Sequence, residues 1–215
     1  MQATRLILIR HGETHWNADS RIQGHTDIAL NDTGRWQAKR VAQALADEPK
    51  AAVYASDLQR AADTALAIAQ AHAEGALQVR HHIGLRERAF GHFEGLSFDE
   101  IETRWPDDEH AWRTRVPHWT PVGGESLLQV RDRVQGTLDA IASAHIGEQL
   151  VLVAHGGILD MVYRLASRQE MQAPRTWHLG NAAINRLLWT PQGLSLVGWG
   201  DVRHLEQDSL DEQTA

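Results

Sequence analysis

The chain has 215 residues, no cysteine and a formal net charge of -7 at pH 7. The lack of cysteine excludes disulfide bonds, thiolate metal ligands and a cysteine nucleophile, and the negative charge argues against general binding to nucleic acid or acidic membranes. No apolar run reaches the roughly 20 residues that span a bilayer, and the first residues are too charged for a signal peptide. We therefore expect a cytoplasmic protein with no nucleic-acid or membrane partner, and its oligomeric state is left open.

In the first half of the chain, short apolar runs alternate with longer helical patterns. Three runs are typical of strands: 5–9, 51–56 and, more weakly, 76–83. Between them, apolar residues recur at helical spacing over 31–48 and 56–73. The second of these helices is predicted to begin at Ser56 or Asp57, because both side chains can accept hydrogen bonds from a first helical turn.

The second half of the chain continues the pattern and then changes it. A helix is predicted over 124–147, a buried strand over 148–155 and a helix over 156–167. Two late strands, 183–190 and 193–200, flank a Pro-Gln-Gly turn signal. This alternation predicts an α/β fold, a three-layer sandwich whose mostly parallel central sheet is flanked by helices.

One segment interrupts the alternation. Residues 97–121 contain three tryptophans and three prolines, and we expect them to form a small helical lobe inserted over the sheet and packed by its tryptophans. The whole of 1–204 is predicted to be a single domain. The polar, acidic end, 205–215, is predicted to be a mobile tail.

Basic side chains stand where three of the predicted strands end. Arg10 and His11 follow the first strand, Arg60 follows the second, and His155 ends the strand at 148–155. Since the carboxyl ends of neighbouring parallel strands meet at one edge of a sheet, these side chains should converge beside helix N-termini, which favour anions. Arginine binds two phosphate oxygens at once, so the group predicts a phosphate-binding site.

The same residue types suit phosphoryl transfer. A neutral imidazole is a nucleophile towards phosphorus, and neighbouring arginines favour the neutral ring. The leaving alkoxide needs a proton, and a bound phosphate dianion favours the protonated form of a carboxyl group beside it. Glu87, in a turn-rich segment after the third strand, is the candidate acid, with Glu94 as the alternative.

Six segments, in their order along the chain, resemble the motifs of the histidine phosphatase superfamily, also called the phosphoglycerate mutase-like family. The resemblance covers about residues 5–200. The segments are RHGET at 10–14, WNADSRIQGHTDIALNDTG at 16–34, SDLQRAADTA at 56–65, LRERAFGHFEG at 85–95, VGGESLLQV at 122–130 and VAHGG at 153–157.

The resemblance implies a phosphoglycerate mutase-like fold and roles for individual residues. It implies that His11 is the phosphorylated nucleophile and that Glu87 is the proton donor. Binding of the phosphoryl group would fall to three basic side chains: Arg10, Arg60 and His155. The substrate pocket would be lined by Asn17, Gln23, Gly24 and Gly156, the last through its backbone N–H. No metal and no organic cofactor are implied.

The spacing of His11 and His15 also matches that of two zinc ligands on a helix. However, Gly12 and the preceding strand argue against a helix there, and HGETH is not the HExxH motif. We therefore predict no metal site.

The resemblance leaves two activities open. Superfamily phosphatases hydrolyse phosphate monoesters, whereas the cofactor-dependent mutases use 2,3-bisphosphoglycerate and carry a longer, basic insert after the glutamate motif. Here that region is short, and its acidic run at 107–109 argues against binding a second anion, although WRTR at 112–115 is similar to part of the mutase insert. We therefore predict a phosphatase that binds a small phosphorylated substrate or inorganic phosphate, with a mutase as the alternative.

Overall fold

The computed structural model describes residues 2–206. Most of the predicted tail at 205–215 therefore lies outside the described residues, and its mobility stays a prediction. A short 3₁₀ helix, Arg203–Leu205, ends the described chain. It is bound to the domain, because the carbonyl of His204 accepts a hydrogen bond from Nε of Arg40 at 2.8 Å.

A six-stranded sheet forms the middle layer, in the order β3-β2-β4-β1-β5-β6. The strands are β1 (Thr4–Arg10), β2 (Ala52–Ala55), β3 (Val79–His81), β4 (Gln149–Ala154), β5 (Ile184–Thr190) and β6 (Gly193–Asp201). The first four strands of the chain pair in parallel, whereas β5 runs antiparallel to β1 and forms an antiparallel hairpin with β6. The predicted mostly parallel sheet is therefore confirmed.

Helices cover both faces of this sheet. They are α1 (His15–Ala18), α2 (Asp32–Ala44), α3 (Gln59–Gln70), α4 (Phe98–Arg104), α5 (Pro106–Arg113), α6 (Leu127–Ser143) and α7 (Gly156–Ser167). In β1, Leu6 and Leu8 pack in a core cluster with α6 and α7, and Ile7 and Ile9 pack in a second cluster with α2 and α3. A strand buried on both faces explains the uninterrupted apolar run and confirms the three-layer sandwich. No helix within residues 2–206 is long and apolar enough to cross a membrane.

The start of α3 differs from the prediction. The N-cap is Leu58, which has no side-chain cap, and the helix begins at Gln59. Ser56 instead accepts a hydrogen bond from the backbone N–H of Leu58 at 3.2 Å, and Asp57 forms an ion pair with Arg86 at 2.6 Å. The two predicted caps are therefore wrong, because the helix begins later and both side chains have other partners.

The inserted lobe is helical, as predicted, and consists of α4 and α5. Phe93 is fully buried beneath it. The ring centroids of three tryptophans, Trp105, Trp112 and Trp119, lie 5.6–5.8 Å from that of Phe93. The tryptophans therefore hold the lobe together through ring packing.

Candidate active site

Parallel pairing of β1 with β4 places two histidines side by side. Arg10 lies opposite Ala154 in the register, and the backbone N–H of His11 donates to the carbonyl of Ala154 at 3.0 Å. Each strand is followed by a histidine, and the ring centroids of His11 and His155 lie 5.1 Å apart. Both residues are buried, with 3% and 0% of their surface exposed. The structure therefore brings these two predicted residues together.

Arg60 reaches the same site from the first turn of α3. Its side chain is fully buried, and Nη1 and Nη2 donate to the carbonyls of Thr26 and Gly24 at 2.9 and 2.8 Å. The backbone N–H of Gln59 donates to the carboxylate of Asp27 at 2.7 Å, which ties the same loop to α3. Arg60 therefore lines the site and also holds the loop at 24–27, a second role that was not predicted.

The segment before β5 completes the wall beside Arg10. Nη1 of Arg10 donates to the carbonyl of Leu179, and Nδ2 of Asn181 donates to the carbonyl of His11 at 2.9 Å. Neither Leu179 nor Asn181 was predicted. Because β5 runs antiparallel to β1, its amino end lies at the carboxyl end of β1. Asn181 is a polar residue just before β5, and β5 pairs antiparallel with β1, the strand that ends in Arg10 and His11. This position is the sequence signal that could have identified Asn181.

A cavity of about 180 Å³ lies between these groups. It is lined by seven of the nine predicted site residues: Arg10, His11, Asn17, Gln23, Gly24, Arg60 and Glu87. Of the two others, His155 lies beside the ring of His11, and Gly156 lines an adjoining cavity.

The protonation of His11 follows from its contacts. Nδ1 lies 2.6 Å from the carbonyl of Gly12, and since a carbonyl only accepts, this nitrogen carries the proton. Burial, and then the charges of Arg60 and Arg10, lower the pKa of His11 well below its ordinary value. At neutral pH, the ring is therefore uncharged and its lone pair lies on Nε2, the atom suited to attack phosphorus.

The remaining polar atoms fit an anion. Nε of Arg10, Nε of Arg60 and both ring nitrogens of His155 are buried and have no hydrogen-bond partner among the described residues. Buried polar atoms in proteins nearly always have a partner. Phosphoryl oxygens would accept hydrogen bonds from the two arginine Nε groups and from the one protonated ring nitrogen of a neutral His155, and the arginine charges would offset the phosphoryl charge.

The two candidate acids have different surroundings. Glu87 is half-buried and lines the smaller cavity, and its Oε2 accepts from the backbone N–H of Gly157 at 2.9 Å. A Cβ atom at Gly157 would lie 2.4 Å from Oε1 of Glu87, so a larger residue there would displace the carboxylate. Glu94 instead accepts from four donors, which are the backbone N–H groups of His25, Thr26 and Phe90 and the hydroxyl of Thr26. Its carboxylate therefore holds the loop, and the geometry favours Glu87 as the acid.

The predicted pocket residues on the 17–24 loop have distinct roles in the structure. Asn17 lines the cavity and belongs to a capping box with Thr14, in which its Oδ1 accepts from the backbone N–H of Thr14 at 3.1 Å. Oε1 of the buried Gln23 has no hydrogen-bond partner in the described chain. Gly24 has a φ of 53°, and a Cβ atom there would lie 2.1 Å from Oε1 of Glu94. Its backbone shape therefore requires glycine.

The zinc alternative has no support in the geometry. His15 is exposed on α1, whereas His11 is buried, and residues 2–206 contain no cluster of three or more His, Asp or Glu side chains arranged to hold a metal ion. The predicted absence of a metal stays a prediction.

A buried neutral histidine among arginines, at the carboxyl edge of a parallel sheet, defines a phosphoryl-transfer site. The chain belongs to the histidine phosphatase superfamily (branch 1), whose family model matches residues 6–202. This finding confirms the resemblance inferred from the motifs.

Individual relatives extend over nearly the whole chain. The chain is 40% identical to "Phosphoglycerate mutase-like protein 4" of Arabidopsis thaliana over 94% of its own length and 87% of the relative. It is 38% identical to the "Metal-independent phosphoserine phosphatase" of the same plant over 95% of its length and 84% of the relative. The solved structure "Bacillus stearothermophilus YhfR" aligns with a TM-score of 0.86 and 28% identity, covering 94% of this chain and 100% of that one.

The two buried histidines predict a pH-dependent stability. Burial and the neighbouring arginines lower the pKa of both His11 and His155 in the folded protein, so below a pH of about 6.5 the unfolded chain binds more protons. The free energy of unfolding should therefore fall as the pH drops below that value, by up to about 1.4 kcal/mol per pH unit for each histidine. Urea denaturation in phosphate-free buffer measures this slope. The His11→Asn variant should have a shallower slope, and an unchanged slope would contradict the assignment.

Proposed function

We propose that this protein hydrolyses phosphate monoesters of small metabolites through a phosphohistidine on His11. One observation carries the proposal: a buried, neutral imidazole with its lone pair on Nε2 lines the same cavity as the guanidinium groups of Arg10 and Arg60. Membership of the histidine phosphatase superfamily agrees with it. A cytoplasmic location without nucleic-acid or membrane partners is part of the same proposal, supported by the net charge of -7.

In the first step, the lone pair on Nε2 of His11 attacks the phosphorus atom, and the bond from phosphorus to the ester oxygen breaks. Arg10 and Arg60 stabilise the charge on the equatorial oxygens, which carry most of it in the transition state. Glu87 gives its proton to the departing oxygen, so that a neutral alcohol leaves.

In the second step, water attacks the phosphohistidine. The Glu87 carboxylate, now without its proton, takes one from the attacking water, and the bond between phosphorus and Nε2 breaks. Inorganic phosphate leaves, and both His11 and Glu87 return to their starting states. Residue chemistry accounts for each proton, so we propose that neither a metal nor an organic cofactor takes part.

A product assay tests the proposal and its alternative together. Incubation with 3-phosphoglycerate, with and without 2,3-bisphosphoglycerate as primer, should release inorganic phosphate and yield no 2-phosphoglycerate. Activity after treatment with a chelator should equal that of the untreated protein. Isomerised product that depends on the primer would identify a mutase instead, and inactivation by the chelator would refute metal independence.

A further inference from the structure

Glu87 lies in a part of the backbone that has no regular secondary structure. Residues 86–90, all within the described chain, belong to neither a helix nor a strand and connect the 3₁₀ helices Ile83–Leu85 and Gly91–Phe93. In such a segment the backbone N–H and C=O groups have no regular ladder of hydrogen bonds, so their partners lie elsewhere. The position of the Glu87 carboxyl group therefore depends on side chains from other parts of the chain.

One side chain of α6, that of Arg133, supplies several of these partners. Its Nη1 donates to the carbonyls of Gly84 and Arg86, both at 2.9 Å, and its Nη2 donates to the carbonyl of Glu87 at 3.3 Å. The remaining donors bind Glu125, with Nε 2.9 Å from Oε1 and Nη2 2.7 Å from Oε2. A guanidinium group has five N–H donors, and these five hydrogen bonds occupy all of them. Arg133 is therefore committed to the backbone that carries Glu87.

Glu125 joins Arg133 to the other end of this segment. Its Oε2 accepts from the backbone N–H of Ala89 at 2.9 Å, and its own backbone N–H donates to the carbonyl of Ala89 at 2.9 Å. Burial raises the pKa of Glu125, but hydrogen bonds from Arg133 and from the N–H of Ala89 outweigh this effect and hold the pKa below its usual value. The carboxylate is therefore charged at neutral pH, and the ion pair holds the backbone on both sides of Glu87.

A third contact links Glu87 to the loop that Arg60 holds. Nε2 of His25 lies 2.8 Å from the carbonyl of Glu87, and since a carbonyl only accepts, this nitrogen carries a proton. The backbone N–H of His25 donates to Glu94 at 3.0 Å. The carbonyl of Glu87 therefore accepts from both His25 and Arg133, which fixes the peptide group at the base of the acid side chain.

The carboxyl group of Glu87 has other partners. Its Oε1 accepts from the backbone N–H of Arg88 at 2.8 Å, and its Oε2 accepts from that of Gly157 at 2.9 Å. The hydrogen bonds of Arg133 thus go to the backbone and not to the carboxyl group. Neither Arg133 nor Glu125 lines the cavity that contains His11, so both can affect the reaction only through the backbone at 84–89.

We propose that Arg133, held by Glu125, is a positioning residue that sets the distance from the Glu87 carboxyl group to the departing ester oxygen. Proton transfer requires the donor within hydrogen-bond reach of that oxygen, and a displacement of about 1 Å can lower a rate by about 100-fold. This inference rests on the proposed phosphatase function. It also gives a role to the VGGESLLQV motif at 122–130, to which Glu125 belongs.

Dependence on the leaving group separates positioning of the acid from general structural support. The two substrates are p-nitrophenyl phosphate, which hardly needs the acid, and an alkyl phosphate, which does. The alkyl phosphate is whichever of 3-phosphoglycerate, glycerol 3-phosphate and glucose 6-phosphate the wild type hydrolyses fastest. In Arg133→Gln, kcat/KM for the alkyl phosphate should fall about 10- to 100-fold more than kcat/KM for p-nitrophenyl phosphate.

Two further variants complete the design. Arg133→Lys keeps the positive charge beside Glu125 but has three N–H donors and no planar fork. It should therefore melt closer to the wild type than Arg133→Gln does and still show the selective loss. Arg131→Gln is the matched control, because Arg131 lies on the same helix and pairs with Asp132 at 2.7 Å. This control should keep the wild-type ratio of the two kcat/KM values.

The outcomes distinguish this inference from the function on which it rests. Equal losses of kcat/KM for both substrates in Arg133→Gln and Arg133→Lys, alongside a selective loss in Glu87→Gln, would overturn the inference and leave the proposed function standing. Failure of the wild type to release phosphate from any ester, p-nitrophenyl phosphate included, would instead overturn the proposed function.

Discussion

Replacement of His11 by alanine should lower kcat for p-nitrophenyl phosphate by a factor of the order of 10⁴ or more. The reason is that, in the proposed mechanism, Nε2 of His11 forms the bond to phosphorus, and no other side chain is placed to replace it. His155 lies beside it, but neither of its ring nitrogens has a hydrogen bond that would fix its proton. Steady-state phosphate release gives the rate, and rapid acid-free trapping of labelled phosphate measures the covalent intermediate.

The matched control for this variant is His15→Ala. His15 is four residues further along and exposed on α1, so its removal should leave the rate within about twofold of wild type. Trapped phosphate should be absent from His11→Ala and present in His15→Ala. A His11→Ala protein that still hydrolyses esters at the wild-type rate would falsify the phosphohistidine mechanism.

Replacement of Glu87 by glutamine should slow the enzyme according to the leaving group. For an alkyl phosphate, whose alkoxide is a poor leaving group, kcat should fall by about 10²- to 10⁴-fold, since the proton donor is lost. For p-nitrophenyl phosphate, whose phenolate leaves without a proton, the first step should change little. Glutamine keeps the shape of the side chain and can still accept from the backbone N–H of Gly157, but it gives up the hydrogen bond that Glu87 accepts from the backbone N–H of Arg88 at 2.8 Å. Both substrates meet the same loss, so the difference between them isolates the proton.

Glu94→Gln is the control for a structural carboxylate. Its four hydrogen bonds hold the loop beside Arg60, and therefore its loss should lower the melting temperature and reduce the rates for both substrates by a similar factor. A loss of kcat/KM confined to the alkyl phosphate in Glu94→Gln, with equal losses of kcat/KM for both substrates in Glu87→Gln, would move the acid role from Glu87 to Glu94. The comparison uses kcat/KM because it reports the first step and not the hydrolysis that both substrates share.

The fold was largely predictable because its signals are local. The apolar run of β1 is continuous since both of its faces are buried, and the helices on either side show helical spacing. The start of α3 was not predictable from capping chemistry, because Asp57 is bound by Arg86, a residue distant in sequence. The short β3 had the weakest pattern, and it lies at the edge of the sheet, where little of a strand is buried.

The site residues were predictable where they directly follow a strand that is part of a recognised sequence motif. Arg10 and His11 follow β1, His155 follows β4, and register alone brings these residues together. The loop before β5 was missed, because the direction of β5 decides at which edge of the sheet Asn181 lies. The antiparallel pairing with β1 places it at the carboxyl end of β1, beside His11. The pairing of Arg115 with Asp160 was missed as well, because it joins the lobe to α7 across the cavity.

The sequence by itself determined that a buried strand ends in Arg10 and His11 and that the chain has the motifs of a phosphoryl-transfer superfamily. Both are properties of residues that are neighbours in the chain. Only the tertiary structure favoured Glu87 over Glu94 as the candidate acid, through the hydrogen bonds that engage Glu94, and revealed Asn181 beside His11. The reason is that hydrogen-bond partners and cavity walls combine side chains from distant segments, and their direction depends on how those segments pack.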